Sequence, residues 1–279
     1  MAYNELETRG THDFPVSFYQ LDHTHPRYFM SAHWHSEIEF IRVLEGELSV
    51  TLNGKNYTLK KGDAMFINSE TVHLAEPFDC VYECIVFHLE FLRLCGECCR
   101  FFIESILNRD ILVCEYFPAG TPSNIEANKI FRSLKTDLKG LKFHAVSAFY
   151  EFFGSVYDSH LYSLGAGGAK LGESKNISKL KKILSFIREN YACAQTLESM
   201  AEKCNMSPKY FGSFFKSMTG KTPIEYLNEY RTEKAISLIV SSDMSITDIA
   251  FACGFNDLSY FIKTFKKIVG MSPGKFRKK

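Results

Sequence analysis

The sequence has no run of apolar residues approaching the ~18 needed to cross a bilayer as a helix, so no membrane-spanning helix is expected. Its opening stretch, MAYNELETRGTHDF, lacks the basic start and apolar centre of a secretory signal. Tryptophan is nearly absent, with one residue at Trp34. Cysteine is plentiful, but a disulfide framework is not in view. Nine is an odd count, and a chain of 279 residues is too large to need such staples. The thiols therefore read as reduced, which implies a cytoplasmic protein. Cys80, Cys84, Cys95, Cys98 and Cys99 cluster in the sequence, yet their spacing fits no standard pair of zinc knuckles. Their apolar surroundings suit small buried hydrophobes better.

What is present is organised in two parts. The apolar fraction of 46% is ordinary, and the length suits two modest domains. The net charge of +1 hides a split. Residues 176–279 hold 17 Lys and Arg against 9 Asp and Glu, while residues 1–175 hold 16 against 23. A basic C-terminal third points to a polyanion partner, with a solvated charged face as the plainer alternative. The charge switches at LGAGGAKLGESKN (164–176), a Gly- and Ala-rich stretch without apolar period that reads as a linker. The expected division is 1–163, 164–176 and 177–279.

Beyond the linker the chain nearly repeats itself. LESMAEKCNMSPKYFGSFFKSMTGKTP (197–223) lies over ITDIAFACGFNDLSYFIKTFKKIVGMSP (246–273). Met200, Ala201 and Cys204 match Ile249, Ala250 and Cys253; one inserted residue later, Tyr210, Phe211, Phe215, Lys216, Gly220 and Pro223 match Tyr260, Phe261, Phe265, Lys266, Gly270 and Pro273. Each copy reads helix, turn, helix. Gly254 suits the sharp turn of the second copy and Asn205 holds its place in the first. Asp257 and Ser207 are the expected caps of the following helices, and Pro208 fits a first turn. The second helix is expected to bury Tyr260, Phe261, Phe265 and Ile268. A helix from Pro223 to about Val240 joins the copies, with Leu227, Tyr230, Leu238 and Ile239 inward.

DIAFACGFNDLSYFIKTFKKIVGMSPGKFRK (248–278) resembles the signature of the AraC/XylS family of bacterial transcription regulators, and the resemblance covers about residues 178–279. It implies an all-α domain of two helix-turn-helix units, each presenting its second helix to a major groove of double-stranded promoter DNA. By position it implies base contacts from Lys209, Gly212, Ser213 and Lys216 in the first unit, and from Leu258, Ser259, Ile262 and Lys263 in the second. Lys263 suits guanine O6 and N7, and Leu258 or Ile262 a thymine methyl. Gly212 offers no side chain and Ser213 a short one, a departure that leaves the first unit to grip backbone. Lys216, Lys266, Lys267 and Arg277 read as phosphate contacts.

In the N-terminal part, residues 33–88 read as short strands. ELSVTL alternates, Asn53-Gly54 is a hairpin signal, and KKGD turns again before AMFI and CVYECIVFHLEF. HWHSEIEF (33–40) taken as one strand would point His33, His35, Glu37 and Glu39 the same way. With Gly46, Gly62 and His73, this stretch resembles the two motifs of the cupin family, which implies a β-barrel or jelly roll. The implied ligand set is His33, His35, Glu39 and His73, suited to a divalent first-row metal if one binds. The family's glycine before His33 is Arg27 here, Asn68 and Glu70 stand where it has Pro and Gly, and Pro77 replaces a final Asn. Arg42, Tyr82 and His88 are further polar candidates, and Trp34 has the opposite strand parity. Residues 89–163 turn helical, with Ile130, Leu134, Leu138, Leu141, Val146, Phe149 and Phe153 along one side. They suit either a homodimer interface or a cap over the barrel.

The expected protein is α+β with two domains: a cupin-like effector-binding domain with flanking helices, and a DNA-binding domain. The reading is a cytoplasmic, ligand-responsive regulator without catalytic activity or required cofactor. By resemblance, its effector is a small molecule such as a sugar. Activation, with RNA polymerase as partner, is preferred to repression. An N-terminal arm (1–16) or the dimer helices would carry the response. Two rivals stay open: a metal-dependent cupin enzyme fused to a DNA-binding module, and a regulator without effector.

Overall fold

The computed structural model describes residues 10, 11, 13–25, 28–93, 97–136, 138–165 and 175–278. Most of the expected arm and linker, with Arg27 and Cys95, lie outside the described residues, as does the side chain of Cys98. The chain divides into two compact units, one with Trp34–Ser174 and the described residues up to Met30, the other with Lys175–Lys279 and the short segment Ser31–His33.

The main sheet is built of β1 (Val16–Leu21), β2 (Met30–His33), β3 (Ile38–Leu52), β4 (Lys55–Lys60), β5 (Ala64–Ile67) and β6 (His73–Phe87). The fifteen-residue strands β3 and β6 pair antiparallel along nearly their whole length. β1 and β2 add to β6, and β4 and β5 add to β3. β5 also pairs with β8 (Tyr116–Phe117). The register of β3 against β6 shifts between Val43 and Glu47, which bends both strands at Gly46. That glycine has φ +69°, and a Cβ there would fall 2.0 Å from the Asp79 carbonyl oxygen, so the bend admits no side chain. Asn53 and Gly54 close the β3–β4 hairpin, both with positive φ.

Strand alternation then sorts the side chains into two cores. One sheet face gathers Ile41, Val43, Leu48, Val50, Met65, Ile67, Tyr82 and Cys84. The other carries Ile38, Phe40, Phe66, Ile85 and Phe87 beneath α2 (Pro122–Ser133) and α3 (Leu141–Asp158), which contribute Phe131, Phe149, Phe152 and Phe153. Ile130, Phe149 and Phe153 are buried as the helical stripe predicts, but against the sheet. These helices form the cap that the sequence left as one of two options. Leu138 departs from the stripe: it lies between the helices and is 61% exposed. The unit is completed by α1 (Glu97–Leu107) and by β7 (Ile111–Val113) paired with β9 (Tyr162–Leu164).

The C-terminal unit is helical among its described residues: α4 (Lys175–Glu189), α5 (Leu197–Lys203), α6 (Pro208–Thr219), α7 (Pro223–Ser241), α8 (Ile246–Ala252), α9 (Leu258–Val269) and α10 (Pro273–Arg277). The sequence repeat is a backbone repeat. Asn205 and Gly254 take left-handed φ values of 52° and 83°. In each copy the next N–H bonds back across the turn, Met206 to the Ala201 carbonyl and Phe255 to the Ala250 carbonyl, both at 3.0 Å. Ser207 and Asp257 then cap α6 and α9 by accepting from Tyr210 and Tyr260. Phe211, Phe215, Phe261 and Phe265 are fully buried, but Tyr260 and Ile268 are not. Tyr260 lies on the outer flank of α9, where its hydroxyl accepts from Asn228 Nδ2 at 2.8 Å. Arg231, on the linking helix α7, donates to the carbonyls of Tyr191 and Cys193 and stacks over Phe255. It thereby ties the loop after α4 to the second turn.

Candidate functional site

Two sets of residues carry chemistry. One nitrogen or carboxylate oxygen each from His33, His35, Glu39 and His73 lie within 4.8 Å of one another. His35, Glu39 and His73 are buried and His33 is partly so. It is the single group of this kind among the described residues. The four residues named from the sequence do come together, though not by sharing one strand. HWHSEIEF is not one strand: β2 ends at His33, residues 34–37 form a bend, and β3 restarts at Ile38. The bend sends Glu37 to the outer side of the cluster, where its carboxylate approaches His35 Nδ1 and His88 Nε2 at 3.7 Å each.

The imidazoles are oriented by one repeated device. Each Nδ1 contacts a backbone carbonyl two residues away: His33 to Ser31 at 2.8 Å, His35 to Glu37 at 3.1 Å, and His73 to Thr71 at 2.8 Å. A carbonyl can only accept, so Nδ1 carries the proton and the ring presents Nε2. Glu39 Oε2 lies 3.2 Å from His35 Nε2 and 3.3 Å from His73 Nε2. Burial opposes ionisation of Glu39, but the hydrogen bonds from His35 and His73 outweigh it and hold the carboxyl well below the usual range. A carboxylate has nothing to donate to a neutral Nε2. The close approach is balanced either by an imidazolium proton or by a cation among the four groups. Three imidazole nitrogens and one carboxylate are a donor set that fits a divalent first-row metal.

The loop before His73 is held to the loop before β3. The Glu70 N–H donates to the His35 carbonyl at 2.7 Å, with Glu70 at φ +58°. This is the position where the cupin motif has glycine, and the left-handed backbone is kept although the residue has changed. Asn68, the other departure, exchanges two hydrogen bonds with the Val113 backbone and fixes the end of β5.

Arg42 and Tyr82 do not serve this cluster. Arg42 has the parity of Phe40 and faces the helices, where it is buried between Glu83, Asn128 and the Phe131 ring. Tyr82 is on the correct face, but its hydroxyl proton goes to the Tyr28 carbonyl at 2.6 Å and burial raises its pKa far above normal. Trp34 is buried. Cys80 and Cys84 line the inner core as protonated thiols, Cys80 pushed up to about 11 by burial. Neither joins a metal-binding group with other described cysteines.

In the C-terminal unit, Lys209, Ser213 and Lys216 on α6 and Ser259, Ile262, Lys263, Lys266 and Lys267 on α9 are all exposed. Gly212 is half-buried, with only Leu197 Cδ1, at 4.0 Å, near a hypothetical Cβ. Leu258 is also half-buried and packs on the core formed by Ile236, Ile249 and Phe261, so it serves packing before any outward contact. Tyr210, the repeat counterpart of Tyr260, is 51% exposed on α6 and stacks on Phe214.

Comparison with known proteins agrees with both units. A helix-turn-helix domain family matches residues 200–279, and a cupin domain family matches residues 22–76. An HTH-type transcriptional regulator of Bacillus subtilis, YdeC, is 27% identical over 98% of this chain and 95% of its own. The HTH-type transcriptional activator RhaS of Salmonella paratyphi A is 26% identical over 90% of this chain and 89% of its own. The melibiose operon regulatory protein of Escherichia coli is 24% identical over 99% of this chain and 93% of its own. The chain is a DNA-binding transcription regulator, and along its length it is similar to regulators of the AraC/XylS type. Its cupin domain carries the histidine–glutamate cluster and its helix-turn-helix region carries the basic helices. Among the described residues, no helix is long and apolar enough to cross a membrane.

Proposed function

We propose that this regulator senses a small polar molecule at His33, His35, Glu39 and His73 and converts its binding into a change in promoter occupancy. The observation that carries the reading is the shared orientation of the three imidazoles. Backbone carbonyls hold each Nδ1, the Nε2 atoms of His35 and His73 face the Glu39 carboxylate, and one ligand atom of partly buried His33 lies within 4.8 Å of theirs. Nothing in packing alone calls for four such groups together, because each loses hydration when buried. A divalent cation would be held by these four side chains. When bound, it supplies a Lewis-acidic anchor for hydroxyl or carboxylate oxygens of the effector. The relative named for a melibiose operon supports a sugar as the effector class.

Sensing is favoured over catalysis because relatives along the whole length are regulators. The relative named an activator supports activation, with RNA polymerase as the partner. A homodimer would give promoter DNA two copies of the helical unit. Effector binding shifts the protein between DNA-binding states only as far as its affinity for those states differs.

The test is the melting temperature of the full chain across a panel of sugars and sugar acids, with and without added divalent metal. A ligand at about 100 times its dissociation constant adds about 2.7 kcal/mol, a readily measured shift. A selective shift that disappears in His35→Ala supports the reading. A selective shift that survives His35→Ala and His73→Ala moves the effector elsewhere and overturns it.

A further inference from the structure

The two helix-turn-helix units are near copies in backbone but not in what their second helices offer a base pair. We propose that α9 supplies the sequence discrimination of each chain, while α6 supplies grip with little base preference. This rests on the DNA-binding reading above and concerns how the reading is divided.

Reading base edges takes a side chain long enough to reach the groove floor, with a donor, an acceptor or an apolar tip free to point there. On α6 the middle of the outward face has neither. Gly212 ends at its Cα. Ser213 Oγ donates to the Lys209 carbonyl at 2.9 Å, so its short hydroxyl is spent on its own helix. Lys209 and Lys216 stand one turn to either side, placed for phosphates. At the matching positions, α9 carries Ile262 and Lys263 next to each other, both exposed, with Lys266 and Lys267 behind them. An ammonium beside a branched apolar tip suits a guanine next to a thymine, through O6 and N7 on one and the C5 methyl on the other.

The gap on α6 is not forced by packing. A Cβ at Gly212 would meet only Leu197 Cδ1, at 4.0 Å, which is ordinary contact. The position could hold a side chain and does not, so the bare face is a property of the outward surface. Without a side chain there, the backbone of α6 can also lie closer to the sugar-phosphate wall.

The experiment is selection of full-length protein on randomised duplex DNA, with the number of chains per duplex measured and the bound region footprinted. The expected result is one block of preferred bases per chain, containing guanine, within a footprint spanning two successive major grooves. Lys263→Ala should flatten one position of that block, about a five- to 150-fold loss of discrimination there. Ser213→Ala should leave the selected sequence unchanged. The double variant Gly212→Ile with Ser213→Lys copies the α9 pair into α6 and should add a second block about ten base pairs away. Two blocks of equal strength per wild-type chain, or a preference erased by Ser213→Ala, overturn the proposal and leave the regulator reading intact. A double variant that keeps its melting temperature and adds no block overturns the claim that side-chain content limits α6. Bound DNA with no preferred bases at all overturns the proposal together with sequence-specific regulation.

Discussion

Arg42 and Glu83 face each other across β3 and β6, with Arg42 Nε 2.6 Å from Glu83 Oε2, on the side of the sheet opposite Glu39. The neighbouring pair in register, Ile41 and Cys84, belongs to the inner core. Arg42 stands three residues along β3 from Glu39, so the buried ion pair under the helices and the histidine–glutamate cluster occupy opposite faces of one strand. Lys135 also pairs with Glu83, and Arg42 reaches Asn128 on α2, so the ion pair fastens the helical cap to the sheet.

Replacing Arg42 with Met should destabilise the protein by about 3 kcal/mol, near the low end for breaking a buried pair, because Lys135 still partners Glu83. The double variant Arg42→Met with Glu83→Met should recover most of that loss. Lys135 is 37% exposed at its side chain and can turn to water. Chemical denaturation of the two variants checks both statements. Effector affinity, measured where both remain folded, should be unchanged, since neither side chain enters the cluster.

Arg42 also shows what the sequence could and could not convey. Alternation in ELSVTL and the Asn53-Gly54 turn made the strands legible, and the repeat with its Ser207 and Asp257 caps made the C-terminal unit legible nearly residue by residue. The grouping of His33, His35, Glu39 and His73 was legible through the resemblance of their surroundings to the cupin motifs. A strand buried on both faces hides which side a charged residue takes, because its burial pattern no longer alternates. Arg42 could therefore be placed only once Glu83 was seen opposite it. The bend at residues 34–37 was equally hidden, because it depends on the Glu70 N–H from a distant loop.

The turns of the two helix-turn-helix units differ in how much they tolerate. Gly254 has φ +83°, and a Cβ would fall 2.6 Å from the Tyr191 carbonyl oxygen and 2.8 Å from Ala192 Cα. Both contacts are backbone and cannot swing aside. Gly254→Ala should therefore cost more than the ~1 kcal/mol expected from left-handed φ alone. Asn205 sits at the matching turn with φ 52°, a conformation asparagine accepts. Asn205→Gly should stay within about 0.5 kcal/mol of the parent. Thermal denaturation of the two variants should separate them clearly. Equal losses would mean that the close approach of the 191–192 backbone is not what constrains the turn.

For the cluster, metal titration followed by elemental analysis of the full chain is the direct measurement. A divalent first-row cation should bind at one per chain, and His35→Ala or His73→Ala should each lower its affinity by about tenfold or more. Glu39→Gln should do the same while keeping the side-chain shape. The carbonyl anchors add a sharper expectation. Thr71→Pro would disturb the backbone that orients His73 without removing any ligand atom, and it too should weaken metal binding. Binding that is indifferent to all four variants would place the cation outside this cluster.

The basic residues of α9 should divide by what they touch. Lys266 and Lys267 lie in the last turn of α9, behind Ile262 and Lys263, and all four are exposed. A lysine that neutralises one phosphate releases about one counterion, so each such contact adds roughly 0.9 to the magnitude of the salt slope of binding. Lys266→Ala should weaken binding on every duplex by a similar factor. It should also reduce the slope of log affinity against log salt by about one, with the preferred sequence unchanged. Lys263→Ala should alter the preferred sequence more than the slope. Affinities measured from about 50 to 200 mM salt on one preferred and one scrambled duplex distinguish the two effects. If Lys266→Ala changed the preferred base and left the slope alone, α9 would lie in the groove shifted along its axis by about one turn from the position assigned to it, with Lys266 rather than Lys263 at the base edges.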